Sequence, residues 1–257
     1  MSDELVHYSV ASGIATITLD SPHNRNALSA QLRRELRACL AKARHDDAVR
    51  AIVLTHTGKV FCSGMDLKEA RGTTAGQQGV NEFPEILDQL WNSPKPAIAK
   101  LRGPARAGGI GMVAACDIAV AVPEATFAFS EVRIGVVPAV ISLVVLPRVT
   151  PRAAQELFLT GEVFDAGRAA EIGLITAVAP AEKLDDEVAR YARSIALGGP
   201  NALAATKELL AGPRHATPSA GFQAMNELSA HFFAGEEGQE GITAFGEKRK
   251  PRWVPAD

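Results

Sequence analysis

Apolar positions along the first quarter of the chain follow two different periods. Leu5 to Val10 and Ile14 to Leu19, the second rich in β-branched residues, flank Ala11-Ser12-Gly13 and predict a β-hairpin. Ser21-Pro22-His23-Asn24 then breaks the strand pattern. Ser29 sits where an N-cap belongs, before a helix to about His45. Leu32, Leu36, Cys39, Leu40 and Ala43 share one face of that helix. Val49 to Thr55 reads as a short buried strand. Strand, helix and strand in alternation predict an α/β fold with helices packed on a sheet. Further along, a loop over 56–65 ends in Phe61-Cys62-Ser63-Gly64-Met65-Asp66, and residues 71–79 are polar. A helix is expected from about Val80 to Trp91, stopped by Pro94 and Pro96. Strands are expected at Ala97–Leu101, Ile118–Val122, Thr126–Phe129 and Leu174–Val178, with mostly helix from Pro151 onward.

The stretch Ala105 to Asp117 organises the rest. Gly108, Gly109 and Gly111 stand at the start of a short apolar helical run. Glycines there let a ligand approach the main chain, and the first N–H groups of a helix lack intrahelical partners. Such a place suits a phosphate, a carboxylate or a developing oxyanion. Tight packing of a helix on a sheet is the plainer alternative. A third reading is a dinucleotide site, since Gly109-x-Gly111-x-x-Ala114 precedes Glu131 by a suitable interval. Six residues between the 97–101 strand and the glycines, Arg102 to Ala107, argue against it.

Composition narrows the choices. The 257 residues are 47% hydrophobic and carry a net charge of -2. One large α/β domain, or a core with a small appendage, is the expected scale, and nothing points to nucleic acid or an anionic membrane. Cys39, Cys62 and Cys116 are too few and too scattered for a disulfide framework or a zinc site. The N-terminus lacks the basic and apolar regions of a signal peptide. The apolar run from Ile134 to Pro147 is shorter than the roughly 18 residues a membrane span needs. A cytoplasmic protein is the expectation. No nucleophile elbow, Walker loop or His-Glu-x-x-His is present, and none of the six histidines sits in a named motif. Acid–base work therefore falls to carboxylates.

The chain resembles the crotonase, or enoyl-CoA hydratase/isomerase, superfamily over nearly its whole length. The resemblance is carried by Asn24-Arg25-Asn26-Ala27-Leu28, Phe61 to Leu67, Lys95-Pro96, Ala107-Gly108-Gly109, Ala115-Cys116-Asp117-Ile118, Leu159-Thr160-Gly161 and Ala244 to Arg249, in that order. It implies a crotonase-like α/β spiral of repeated strand-strand-helix turns over residues 1–195. It also implies a helical C-terminal trimerisation region over 196–257, with assembly as a homotrimer or a dimer of trimers. Acyl-CoA thioesters are the implied substrates, with no separate cofactor and no metal. The Met65 and Gly108 N–H groups would hold the thioester oxygen as it gains enolate charge. Ser63, Gly64, Asp66, Lys68, Gly109, Gly111 and Pro138 would line the substrate, and Lys248 and Arg249 would either hold phosphates or form a solvated basic tail.

Family hydratases commonly carry two glutamates, one on the glycine-led helix and one 20 residues later. Here the second position holds Glu131 and the first holds Gly111. Glu131 is thus the expected catalytic acid/base, against the alternative of a structural ion pair with Arg133 or Arg152. Asp66, Glu82 and Glu85 are weaker candidates for a second acid, Asp66 reading rather as a helix N-cap. A glutamate introduced at position 111 would place a second carboxylate where hydratases have one. Val136 to Ser142, with Gly111, resembles a subgroup hydrating branched enoyl-CoAs such as 3-methylglutaconyl-CoA. The leading expectation is a 2-enoyl-CoA hydratase in fatty-acid or branched-chain acyl-CoA degradation. The alternatives are a Δ3,Δ2-enoyl-CoA isomerase and a catalytically weak acyl-CoA-binding paralogue.

Overall fold

The computed structural model describes residues 4–66, 69, 82–211 and 235–255. A sheet of six strands runs in the order β1-β2-β3-β4-β6-β9, formed by Val6–Ala11, Ile14–Leu19, Ala51–His56, Ala97–Leu101, Ile118–Ala121 and Ala177–Val178. Only the β1–β2 hairpin is antiparallel; every later pairing in this sheet is parallel. All six residues of β3 are buried, which is why Ala-Ile-Val-Leu reads as a continuous apolar run rather than an alternation. A second sheet, ordered β5-β7-β8, joins Ala105–Arg106, Thr126–Ala128 and Phe164–Asp165.

Helix α1, Ala30–His45, begins as expected: the Ser29 hydroxyl accepts from Leu32 N–H at 3.3 Å. Its buried face contains Leu32, Leu36, Leu40 and Ala43, but Cys39 is only partly buried and Arg33 is buried instead. That arginine donates to Leu28 O at 2.6 Å and to Glu82 at 3.3 Å, so its charge is paired. Helix α2, Phe83–Trp91, starts inside the expected 80–91 range. Helix α3, Gly108–Ala115, is buried at every position. Its sequence has no polar face because it is surrounded: α2, and α4 at Ala139–Val145, pack against it.

The shortest elements escaped the sequence pattern. They are β5, β8, the one-turn helix Ser130–Ile134, α4, and α6 at Ala166–Glu171. Strand β9 is two residues rather than the expected five: Leu174–Thr176 form bends, although Thr176 N still donates to Ala119 O of β6 at 2.8 Å. Helices α5 (Pro151–Thr160), α7 (Leu184–Ala196), α8 (Pro200–Ala211) and α9 (Glu236–Glu247) fill the C-terminal part. The tail folds back on its own chain. Arg249 donates to both Glu240 oxygens at 2.8 and 3.0 Å, and Trp253 Nε1 donates to Leu197 O at 3.0 Å. Among the described residues no helix is long and apolar enough to cross a membrane.

Candidate active site

The site begins with a buried asparagine. Asn26 Oδ1 accepts from Ser21 N at 2.7 Å, and its amide donates to Thr57 O at 3.1 Å and Val60 O at 2.8 Å. It and Arg25 adopt left-handed backbone, φ 52° and 61°, a conformation asparagine tolerates better than most residues. This corner aims main-chain groups at the next loop: Ser63 N donates to Arg25 O at 3.2 Å, and Leu28 N to Gly64 O at 2.8 Å. On its other side, Arg106 N donates to Cys62 O at 2.9 Å. The 62–65 backbone is therefore held from two directions.

Glycines make the close approach possible. Gly64 has φ +90°, and a Cβ on it would lie 3.0 Å from Ala107 Cβ and 3.7 Å from Gly108 N. A Cβ on Gly109 would come within 2.7 Å of Cys62 O. Between them Ala107 turns the chain into α3 at φ 48°, ψ −119°, a region costly for any residue with a side chain. Ala107 N donates to Ala128 O at 3.3 Å, tying the turn to β7. Among the described residues, neither Met65 N–H nor Gly108 N–H has an acceptor within the protein. Two such donors side by side, one at a helix N-terminus, match the needs of an oxygen that gains negative charge.

Met65 and Gly108 line a cavity of about 320 Å³ with Ser63, Phe83, Ala107, Ser130, Glu131 and the segment Ile134 to Ile141. Glu131 enters from the one-turn helix after β7. Its Oε2 is buried and has no hydrogen-bond partner. Burial pushes its pKa above the ordinary glutamate value, and its own backbone N–H opposes that only in part. The ion-pair alternative fails on geometry: Arg133 Nε donates to Thr160 O at 3.1 Å and Arg152 to Gln155 at 3.3 Å. A partly buried, proton-hungry carboxylate in a cleft is suited to general acid–base work. Cys62 and Cys116 are fully buried and their thiols are pushed up to about 12, so neither is a thiolate nucleophile.

The remaining expected positions divide. Ser63 and Pro138 line the cavity; Gly64 and Gly109 shape its wall from behind. Asp66 lies near Asn24, whose Nδ2 donates to it across a long 3.5 Å, and Asp66 is not part of the cavity lining. Lys68 falls outside the described residues. Glu82 and Glu85 pair with Arg33 and Arg37 between α1 and α2, away from the cavity. Arg249 is occupied by Glu240 and Glu247, which favours neither phosphate binding nor a free basic tail for that residue. Gly111 brings a correction. A Cβ there would meet Ile141 Cγ2 at 2.6 Å and Ile141 Cβ at 3.2 Å. The space a glutamate at 111 would enter is already filled, so that single substitution cannot simply add a second carboxylate. Ala107 and Ile141 fall inside stretches that carry the resemblance and Phe83 inside an expected helix, but nothing in the sequence set any of the three against the glycines. Only the spacing of the glycines hinted that something must sit against them.

The family model for enoyl-CoA hydratase/isomerase matches residues 9–255. A crystallised enoyl-CoA hydratase/isomerase from Marinobacter aquaeolei is 32% identical, with a TM-score of 0.90 over 98% of this chain and 100% of its own. An enoyl-CoA hydratase from Mycobacterium avium is 43% identical, with a TM-score of 0.73 over 98% of this chain and 99% of its own. The rat mitochondrial enoyl-CoA hydratase domain-containing protein 3 is 34% identical over 94% of this chain and 81% of its own. Fold and site thus define a crotonase-type α/β protein, and the chain belongs to the enoyl-CoA hydratase/isomerase family. The dinucleotide reading falls with this assignment: Glu131 stands on a helical turn, not at a strand end, and β5 intervenes before the glycines.

Proposed function

We propose that the chain is an enoyl-CoA hydratase in which Glu131 is the sole acid/base. The observation that carries this reading is the buried, partnerless Oε2 of Glu131, in one cavity with two N–H groups that lack acceptors among the described residues. The thioester oxygen would rest on Met65 N–H and Gly108 N–H. As water adds its oxygen to C3, Glu131 takes the water's proton and negative charge collects on the thioester oxygen as an enolate. The enolate then collapses, and the same carboxyl returns the proton to C2. One molecule of water is consumed and Glu131 ends as it began. Losing one oxyanion donor costs about 100–1000-fold in comparable sites.

A second reading is supported by one feature. Ile141 stands against Gly111, so among the described lining residues no second carboxylate accompanies Glu131. Double-bond migration needs no water: Glu131 would take a proton from C2 of a 3-enoyl-CoA and return it at C4. The acyl group is proposed to be an uncharged hydrocarbon. A 3-methylglutaconyl chain would bring a second carboxylate to a lining that, among the described residues, offers no cation. Turnover of 2-enoyl- and 3-enoyl-CoA esters in ¹⁸O-labelled water separates the two. Label in the product marks hydration, and unlabelled product of unchanged mass marks migration. Turnover of neither would return the chain to a binding role.

Assembly as a homotrimer or dimer of trimers is also proposed. It is supported by a run of exposed apolar side chains, Val137, Leu143, Leu146, Leu159 and Val163.

A further inference from the structure

Gly108 and Gly111 are three residues apart on α3, so they lie on one face about 4.5 Å apart along the axis. Each glycine has an apolar side chain seated where its own Cβ would be. At Gly108 these are Leu28 Cδ1 at 2.9 Å and Phe83 Cζ at 3.1 Å; at Gly111 they are Ile141 Cγ2 at 2.6 Å and Leu87 Cδ2 at 3.5 Å. Phe83 and Ile141 both line the cavity. Both are buried, at 4% and 3% exposure, whereas Ile134, Val136 and Val137 on the same wall are half-exposed or more. The exposed valines form a rim. Ile141 is clamped between α3, α2 and the rest of α4, and forms a fixed floor one turn from the Gly108 donor.

Resting on the acyl-CoA reading above, we infer that Ile141, seated against Gly111, sets the size of acyl group the cavity accepts. Gly111 is part of the device: lacking a side chain, it lets Ile141 withdraw into α3. A methyl at position 111 pushes Ile141 back into the cavity, and shortening Ile141 opens the floor toward Gly111 and Leu87. Both neighbours are apolar, so the new space suits more hydrocarbon and not a polar group. One methylene more or less in an apolar pocket changes binding by about 10–200-fold.

The test measures dissociation constants of saturated butyryl-, hexanoyl- and octanoyl-CoA by calorimetry, a readout independent of turnover. Ile141→Ala should shift the octanoyl-to-butyryl preference toward octanoyl by about 10-fold or more, with Ile141→Val intermediate. Gly111→Ala should shift it the other way. The double variant Gly111→Ala/Ile141→Ala should return toward the native ratio, because the added methyl then fills the space the isoleucine vacated. An unchanged ratio in folded Ile141→Val and Ile141→Ala overturns the inference, as does a Gly111→Ala shift toward octanoyl. Native protein that binds no acyl-CoA at all would instead refute the acyl-CoA reading and the inference with it.

Discussion

Glu131 and Ala107 are each held in a state their residue type disfavours, one desolvated and the other at positive φ. The Glu131 carboxylate is desolvated, so its folded pKa lies above its unfolded one. Between those two values the folded state holds more protons, and stability falls as pH rises through the window. Glu131→Gln should therefore raise the melting temperature at neutral pH while removing activity, a separation that calorimetry and an enoyl-CoA assay can read together. The same raised pKa sets the acid limb of kcat/KM above the ordinary 4.5 of a glutamate. Ala107 is held at φ 48°. Relief of strain on substitution by glycine, about 1–3 kcal/mol, exceeds the roughly 0.4–1 kcal/mol of added unfolded-state entropy. Ala107→Gly should accordingly melt a few degrees higher; a lower melting temperature would show that the turn is not strained. Glu131 could be found in the sequence because the resemblance to the crotonase superfamily marks its position, 20 residues after Gly111. Ala107 could not: an alanine gives no sign that its backbone has been forced to a positive φ.

At the scale of elements, the meeting of loop 62–66 with the start of α3 decides whether two N–H groups face one oxygen. Gly109 permits it. A methyl there would press on Cys62 O, a backbone atom that cannot swing aside. Gly109→Ala should cost about 1–3 kcal/mol of stability. It should also lower kcat/KM by about 100-fold, since a shift of 1 Å in a catalytic group has that effect. Unchanged kinetics would mean that the loop and helix tolerate separation. Most longer elements were legible because their apolar faces repeat at the strand or helix period, as in β2 and α1. The site-building elements were harder. Strand β5 is two residues long and α4 is apolar on several sides, so neither has a period to read. Their partners, Cys62 opposite Ala105 and Ile141 opposite Gly111, are set by tertiary contact alone.

At the scale of the whole molecule, some apolar side chains of the C-terminal helices find cover within the chain itself. Leu157 is 3% exposed, and Phe158 packs tilted against Phe129 with ring centroids 4.3 Å apart. Phe222, Met225, Leu228, Phe232 and Phe233 lie outside the described residues. Exposed apolar side chains include Leu197, Leu209, Leu210 and Ile242 late in the chain, and Val137, Leu143, Leu146, Leu159 and Val163 around the far wall of the cavity and the end of α5. If trimers form through this face, Leu143→Glu should shift light-scattering mass toward the monomer and leave far-UV dichroism unchanged. A native monomer at micromolar concentration would remove the assembly proposal.

The central claim is that Glu131 alone moves the proton while Met65 and Gly108 hold the thioester oxygen. Its most direct test is Glu131→Gln, assayed for enoyl-CoA turnover in ¹⁸O-labelled water alongside calorimetric binding of a saturated acyl-CoA. The amide keeps the shape and loses the base. The account predicts turnover lower by about 100–10,000-fold, with acyl-CoA affinity retained. Native-level turnover by Glu131→Gln, with or without label in the product, would contradict it.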